Sequence, residues 1–100
     1  MNKKDIQFIK LPDAPGVYVF RNAKKEILYI GKATSIRSRV RSYFGRNLDV
    51  ARGPLLVKMM AEATSVTFEE TDSVLEALIL EANLIKKHQP QYNTRDKDNK

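Results

Sequence analysis

The sequence contains no cysteine, which excludes disulfides and thiolate metal sites. Its single histidine, His88, excludes a histidine-rich zinc centre as well. His88 stands near the end of a predicted helix, just before Gln89 and Pro90, and reads as a capping or surface residue with no chemistry assigned to it. No apolar run approaches the ~18 residues that a bilayer-spanning helix requires. Met1 to Lys10 is basic but lacks the apolar stretch and cleavage site of a signal peptide. Internal repeats and low-complexity tracts are missing too. These absences lead to the expectation of a soluble, cytoplasmic protein.

What is present suits one domain. The chain has 100 residues, 42% of them hydrophobic, and a formal net charge of +6. That length fits a single unit with its own core, and the positive balance favours a polyanionic partner, nucleic acid first and anionic membrane second. Charge is unevenly spread along the chain. Lys32, Arg37, Arg39, Arg41 and Arg46 place five cations in fifteen residues with no acid among them. From Glu62 to Glu81 there are six acids and no base. One such segment alone is commonly a solvated helix face. The segregation of sign raises the prospect of a positive side suited to a phosphate backbone, without indicating base readout.

The pattern along the chain predicts an α+β fold. Leu11 to Pro15 (L-P-D-A-P) is a stiff extended approach. Gly16 to Phe20 and Ile27 to Ile30 read as strands joined by a four-residue turn at Asn22 to Lys25. That turn sets Val17 opposite Ile30, Val19 opposite Leu28, and Tyr18 opposite Tyr29 on the other face. Gly31 is expected to leave the sheet, with Thr34 or Ser35 capping a helix whose stripe is Ile36, Val40, Tyr43 and Phe44. On that helix Arg39 lies beside Tyr43, while Arg37 and Arg41 lie on the opposite edge. Gly45 is the expected C-cap, and 47–54 is read as a loop. A short helix at Leu55 to Ala63 and a third strand at Val66 to Glu70 follow. Ser73 and Glu76 have capping-box spacing and open the longest helix. Its expected buried face is Val74, Leu75, Leu78, Ile79, Ala82 and Ile85, with Ala77, Leu80 and Leu84 extending apolarity nearly all round.

Two features on this framework point to chemistry. Tyr18 and Tyr29 form an aromatic pair that need only stabilise a hairpin. With Lys32 and Arg39 close behind them, a phenol there also has cations that favour its ionised form and hence proton transfer. Glu81 interrupts an apolar surface, where an unpaired carboxylate is costly. A cation resolves that cost, and Mg²⁺ commonly takes one or two carboxylates and leaves the rest to water and phosphate.

G-V-Y at Gly16 to Tyr18, Y-I-G-K at Tyr29 to Lys32, Arg39, and Glu81 within L-E-A-N-L-I-K-K together resemble the GIY-YIG nuclease superfamily. L-P-D-A-P-G-V-Y, R-x-R-V-R-S-Y-F and H-Q-P-Q-Y-N narrow the resemblance to the N-terminal nuclease domains of the excinuclease C branch, over roughly residues 9 to 98. Val17, where the family has isoleucine, is a conservative departure. The resemblance implies a small three-stranded antiparallel sheet flanked by helices, and hydrolysis of a DNA phosphodiester with one divalent ion, Mg²⁺ or Mn²⁺. By position, Tyr18 would activate or orient the attacking water with Tyr29 as its partner. Lys32 would hold the site and the strand, Arg39 would contact the scissile phosphate, and Tyr43 would line the site. Glu81 would bind the metal and Asn93 would complete the pocket. Lys32, Arg37, Arg39, Arg41 and Arg46 form the expected DNA-binding set.

The family further implies damaged duplex DNA as substrate, the incision 3′ to a lesion, and the excinuclease B subunit as a partner engaged through other regions. The expectation is one monomeric domain over 1–100, with a core of about 11–93 and a tail at 94–100, cut from a longer protein. The alternatives are a shorter repair endonuclease of the same fold, or a noncatalytic nucleic-acid-binding module whose tyrosines only stack.

Overall fold

A computed structural model describes residue 6 and residues 9–44 and 53–93. The expected Gly45 cap, Arg46 and most of the 47–54 loop lie outside them. The elements are β1 (Gly16–Arg21), β2 (Ile27–Ala33), α1 (Ile36–Arg41) with one 3₁₀ turn (Ser42–Phe44), α2 (Pro54–Glu62), β3 (Ser65–Glu70) and α3 (Val74–His88). The three strands form one antiparallel sheet in the order β2-β1-β3. Among the described residues no helix is long and apolar enough to cross a membrane.

Both faces of the central strand are covered, so β1 is apolar at nearly every position. Tyr18 and Phe20 face α1 and α2, in a core shared with Ile36, Val40, Tyr43 and Met59. Val17 and Ile30 face α3, against Ala77 and Ile85.

The hairpin register differs from the expectation by two residues. Val17 pairs with Lys32, Tyr18 with Gly31, Val19 with Ile30 and Phe20 with Tyr29. Two separate one-residue changes produce this shift. At the turn, Asn22 N–H donates to the Glu26 carbonyl at 3.1 Å and Lys25 N–H to the Asn22 carbonyl at 2.9 Å, with Lys25 left-handed at φ 66°. Three residues therefore fill the loop instead of four. The ladder then shifts again between Phe20 and Arg21, and Leu28, at that bulge, joins the tyrosine-side core rather than the Val19 face. A slip of one would have reversed every side chain; two slips restore the faces.

Gly31 does not leave the sheet, because β2 continues to Ala33. A Cβ on Gly31 would overlap the Tyr18 phenol, which lies across that position. Glycine is required there by the ring above it.

The extended L-P-D-A-P approach serves as an external cap for α1. Ile36 N–H donates to Ala14 O at 2.9 Å and Arg37 N–H to Pro12 O at 3.0 Å, while the Ser35 hydroxyl donates to Asp13 at 2.7 Å and accepts from Ser38 N–H. Orphan donors of the first turn are thus satisfied, and Ser35, rather than Thr34, is the N-cap. Pro54 opens α2 as its first helical residue instead of ending a loop, and α2 buries Met59 and Met60.

Of the expected face of α3, Ile85 docks on the sheet and the rest does not. Ala77, Leu80, Leu84 and Ile85 meet the sheet, whereas Val74, Leu75, Leu78 and Ile79 are 45–65% exposed. Ala77, Leu80, Leu84 and Ile85 also have i, i+3, i+7, i+8 spacing. The small Ala77 lets the helix approach the sheet closely.

Candidate active site

The aromatic half of the site is built on the face toward α1. Tyr18 on β1 and Tyr43 after α1 are almost fully buried, and their hydroxyls lie 2.7 Å apart. Their rings meet edge-on with centroids at 5.6 Å. Tyr29 is not directly opposite Tyr18. It sits diagonally on the same face with its ring 6.3 Å away, and Phe20 and Tyr43 complete the cluster at 5.0 Å.

The charged half lies on the other face. Lys32 pairs with Val17 and so points away from the tyrosines, which corrects the expectation that its charge stands beside the Tyr18–Tyr29 pair. Its ammonium is 3.8 Å from Glu81 Oε1, with side-chain exposures of 46% and 17%. Glu81 lies one turn from both Ala77 and Ile85, so the docking of α3 half-shelters its carboxylate. Lys32 also lines a cleft of about 100 Å³ with Arg39, Ala33, Thr34, Val74 and Ala77. Arg39 therefore bridges the halves, facing Lys32 across the cleft while standing one helical turn before Tyr43.

The remaining expected residues have other surroundings. Arg37 is exposed but anchored, its Nε donating to Leu11 O at 2.9 Å. Arg41 is exposed at the end of α1. Asn93 is 6% exposed and works as a strand substitute on the free edge of β2. Its Oδ1 accepts from Ile30 N–H at 3.0 Å and its Nδ2 donates to Ile30 O at 2.9 Å. Tyr92 N–H adds a bond to Leu28 O at 2.9 Å. The edge of β2, which would otherwise expose unpaired backbone groups, is thus closed by the segment after α3.

One contact in this region carried no sequence signal. The Tyr92 hydroxyl donates to Glu62 at the end of α2. That hydrogen bond, with burial and the negative charge of Glu62 adding to it, pushes the phenol pKa from 10.0 up to about 12. A tyrosine and an acid thirty residues apart give no periodicity to read.

Among the described residues no three His, Cys, Asp or Glu side chains come together as a metal cage. Among the described residues, the carboxylate offered to a cation beside the Arg39 cleft is that of Glu81. A hard, hydrated ion that needs one carboxylate fits it, and a tetrahedral zinc centre does not.

Residues 14–94 match the UvrC-like GIY-YIG domain. The UvrABC system protein C of Synechococcus sp. (strain JA-2-3B'a(2-13)) is 48% identical over 91 residues, covering 91% of this chain and 14% of that protein. The UvrABC system protein C of Methanothermobacter thermautotrophicus is 50% identical over 91 residues, covering 91% of this chain and 15% of that protein. The chain therefore spans only about 14% of the length of such relatives. The crystal structure of the GIY-YIG N-terminal endonuclease domain of UvrC from Thermotoga maritima, bound to magnesium as its catalytic divalent cation, matches with a TM-score of 0.77. It is 36% identical, over 92% of this chain and 98% of that domain.

Proposed function

The chain belongs to the UvrC-like GIY-YIG domain family, and from that premise we propose that it is a single, monomeric, divalent-metal-dependent DNA endonuclease domain. It hydrolyses a phosphodiester bond of damaged duplex DNA, making the incision 3′ to the lesion in nucleotide excision repair, in the cytoplasm and alongside the excinuclease B subunit. The observation that carries the reading is the half-sheltered Glu81 carboxylate, 3.8 Å from Lys32 beside the Arg39 cleft. A module that only binds DNA gains nothing from an acid set among its cations.

Glu81 would hold Mg²⁺ or Mn²⁺. When bound, such an ion supplies charge compensation at the phosphate and acidifies nearby water. Arg39 binds the scissile phosphate and stabilises the charge that develops on it. Lys32 neutralises Glu81 when no other cation is near and contacts the strand when one is. Tyr18 orients the attacking water or takes its proton, and the hydrogen bond its hydroxyl shares with that of Tyr43 holds it in place. Tyr29 packs beside Tyr18 as its partner in the site. Asn93 acts through β2, holding Tyr29 and Gly31 in register.

The test is nicking of damaged duplex DNA by the purified chain. Cleavage is expected only with Mg²⁺ or Mn²⁺ and is expected to stop on chelation. Tight DNA binding with no nicking under any divalent ion would overturn the nuclease reading in favour of a binding module.

A further inference from the structure

A hollow of about 360 Å³ runs along α3 on the far side of Glu81 from the Arg39 cleft, lined by Leu78, Glu81, Ala82, Ile85, Lys86 and Gln89. Its size is at the lower end of the range for ligand clefts. Three features decide what it accepts. Lys86 is exposed and, among the described residues, has no carboxylate within ion-pair reach. Its i−4 and i−3 neighbours are Ala82 and Asn83, so no helix acid absorbs its charge. The end of α3, which would repel an anion through its bare carbonyls, has two of those carbonyls capped. Gln89 Nε2 donates to Ile85 O at 3.3 Å and to Lys86 O at 3.2 Å.

The other end of α3 has the opposite character. Leu75 and Ile79 are flanked there by Asp72 and Glu76, with Glu69 and Glu70 on the adjoining strand, which disfavours a polyanion. Glu81 and Lys86 both line the hollow, ~7.5 Å apart along the helix axis.

We propose that this hollow is a second phosphate subsite, in which Lys86 holds the backbone of the cut DNA strand one or two nucleotides from the scissile bond. The small Ala82 and the apolar Leu78 and Ile85 give it a floor for the deoxyribose. The inference rests on the nuclease reading above and extends the DNA contacts beyond the cations of α1.

Lys87 is the natural control. It carries the same charge on the same helical turn but does not line the hollow. Binding of a short fluorescent DNA duplex is measured by anisotropy over a salt series, with chelator present so that no cleavage occurs. Lys86→Ala is expected to raise Kd about three- to tenfold at low salt and to reduce the log–log salt slope by about 1. Lys87→Ala is expected to change both by less than half as much, and Lys86→Arg to restore near-normal binding. If Lys86→Ala and Lys87→Ala are indistinguishable in affinity and slope, the subsite is wrong while the nuclease reading stands. If the wild-type chain shows no salt-dependent DNA binding, the nuclease reading falls and takes the subsite with it.

Discussion

On the face of the sheet toward α1, Tyr18 and Tyr43 are 1% and 2% exposed and share a 2.7 Å hydrogen bond. On the face toward α3, Lys32 and Glu81 are 46% and 17% exposed and approach only to 3.8 Å. The phenols are held by the core, where close packing leaves little room to move. The charges sit at the rim, where a loose pair in solvent contributes little to stability and is easily exchanged for another cation. On the reading proposed above, groups that must point in one direction are built into the core, and groups that accept a ligand are left open beside it. The two sets of residues should therefore fail in different ways.

The largest losses of activity are expected on the open side, with the fold untouched. Glu81→Ala and Arg39→Ala should each lower metal-dependent nicking by at least ~100-fold, while circular dichroism and the urea midpoint stay close to wild type. A midpoint that drops as steeply as activity would mean that the pair is structural.

On the buried side the two hydroxyls should separate. Tyr18→Phe is expected to cost ~10²-fold or more, the scale of a lost general acid–base group. Tyr43→Phe removes the hydroxyl that bonds Tyr18, a hydrogen bond worth ~1 kcal/mol or about fivefold. Equal losses in single-turnover nicking would make the phenols interchangeable and contradict the assignment of Tyr18 as the one that handles the attacking water.

Gly31→Ala should fail through stability. Its Cβ meets the Tyr18 ring, and overpacking of this kind costs ~1–3 kcal/mol, visible in urea unfolding together with lost activity. A variant as stable and active as wild type would refute the Tyr18–Gly31 register.

The smallest expected effect is alkaline. Tyr92 has a pKa raised to about 12 when folded, against 10.0 as its ordinary value. The folded state then binds the proton more tightly, so this contribution is complete below pH 10 and is lost as pH rises from 10 toward 12. Tyr92→Phe should show a shallower loss of stability than wild type across that window. Identical slopes would remove Glu62 from the account.

How much of this could be read from residues alone depends on whether the signal is local. The Ser35 and Ser73 caps and the three strands announce themselves within a few positions. The register does not, because a turn and a bulge each shift it by one and cancel in the pattern of faces. The orientation of α3 does not either. Apolar residues surround it, and the docked stripe is decided by Ala77, whose small size matters only against the sheet. Lys32 looked like a neighbour of Tyr29 because it follows closely in sequence, but strand alternation sends it to the opposite face. The role of Asn93 depends on the free edge of β2, sixty-three residues earlier.

The division of the site into a cation-holding side and a phenol side is tested most directly by Mn²⁺ binding, followed by electron paramagnetic resonance without DNA. Wild type and Tyr18→Phe should titrate alike, and Glu81→Ala should lose the binding. Unchanged Mn²⁺ binding in Glu81→Ala, or an equal loss in Tyr18→Phe, would contradict the division.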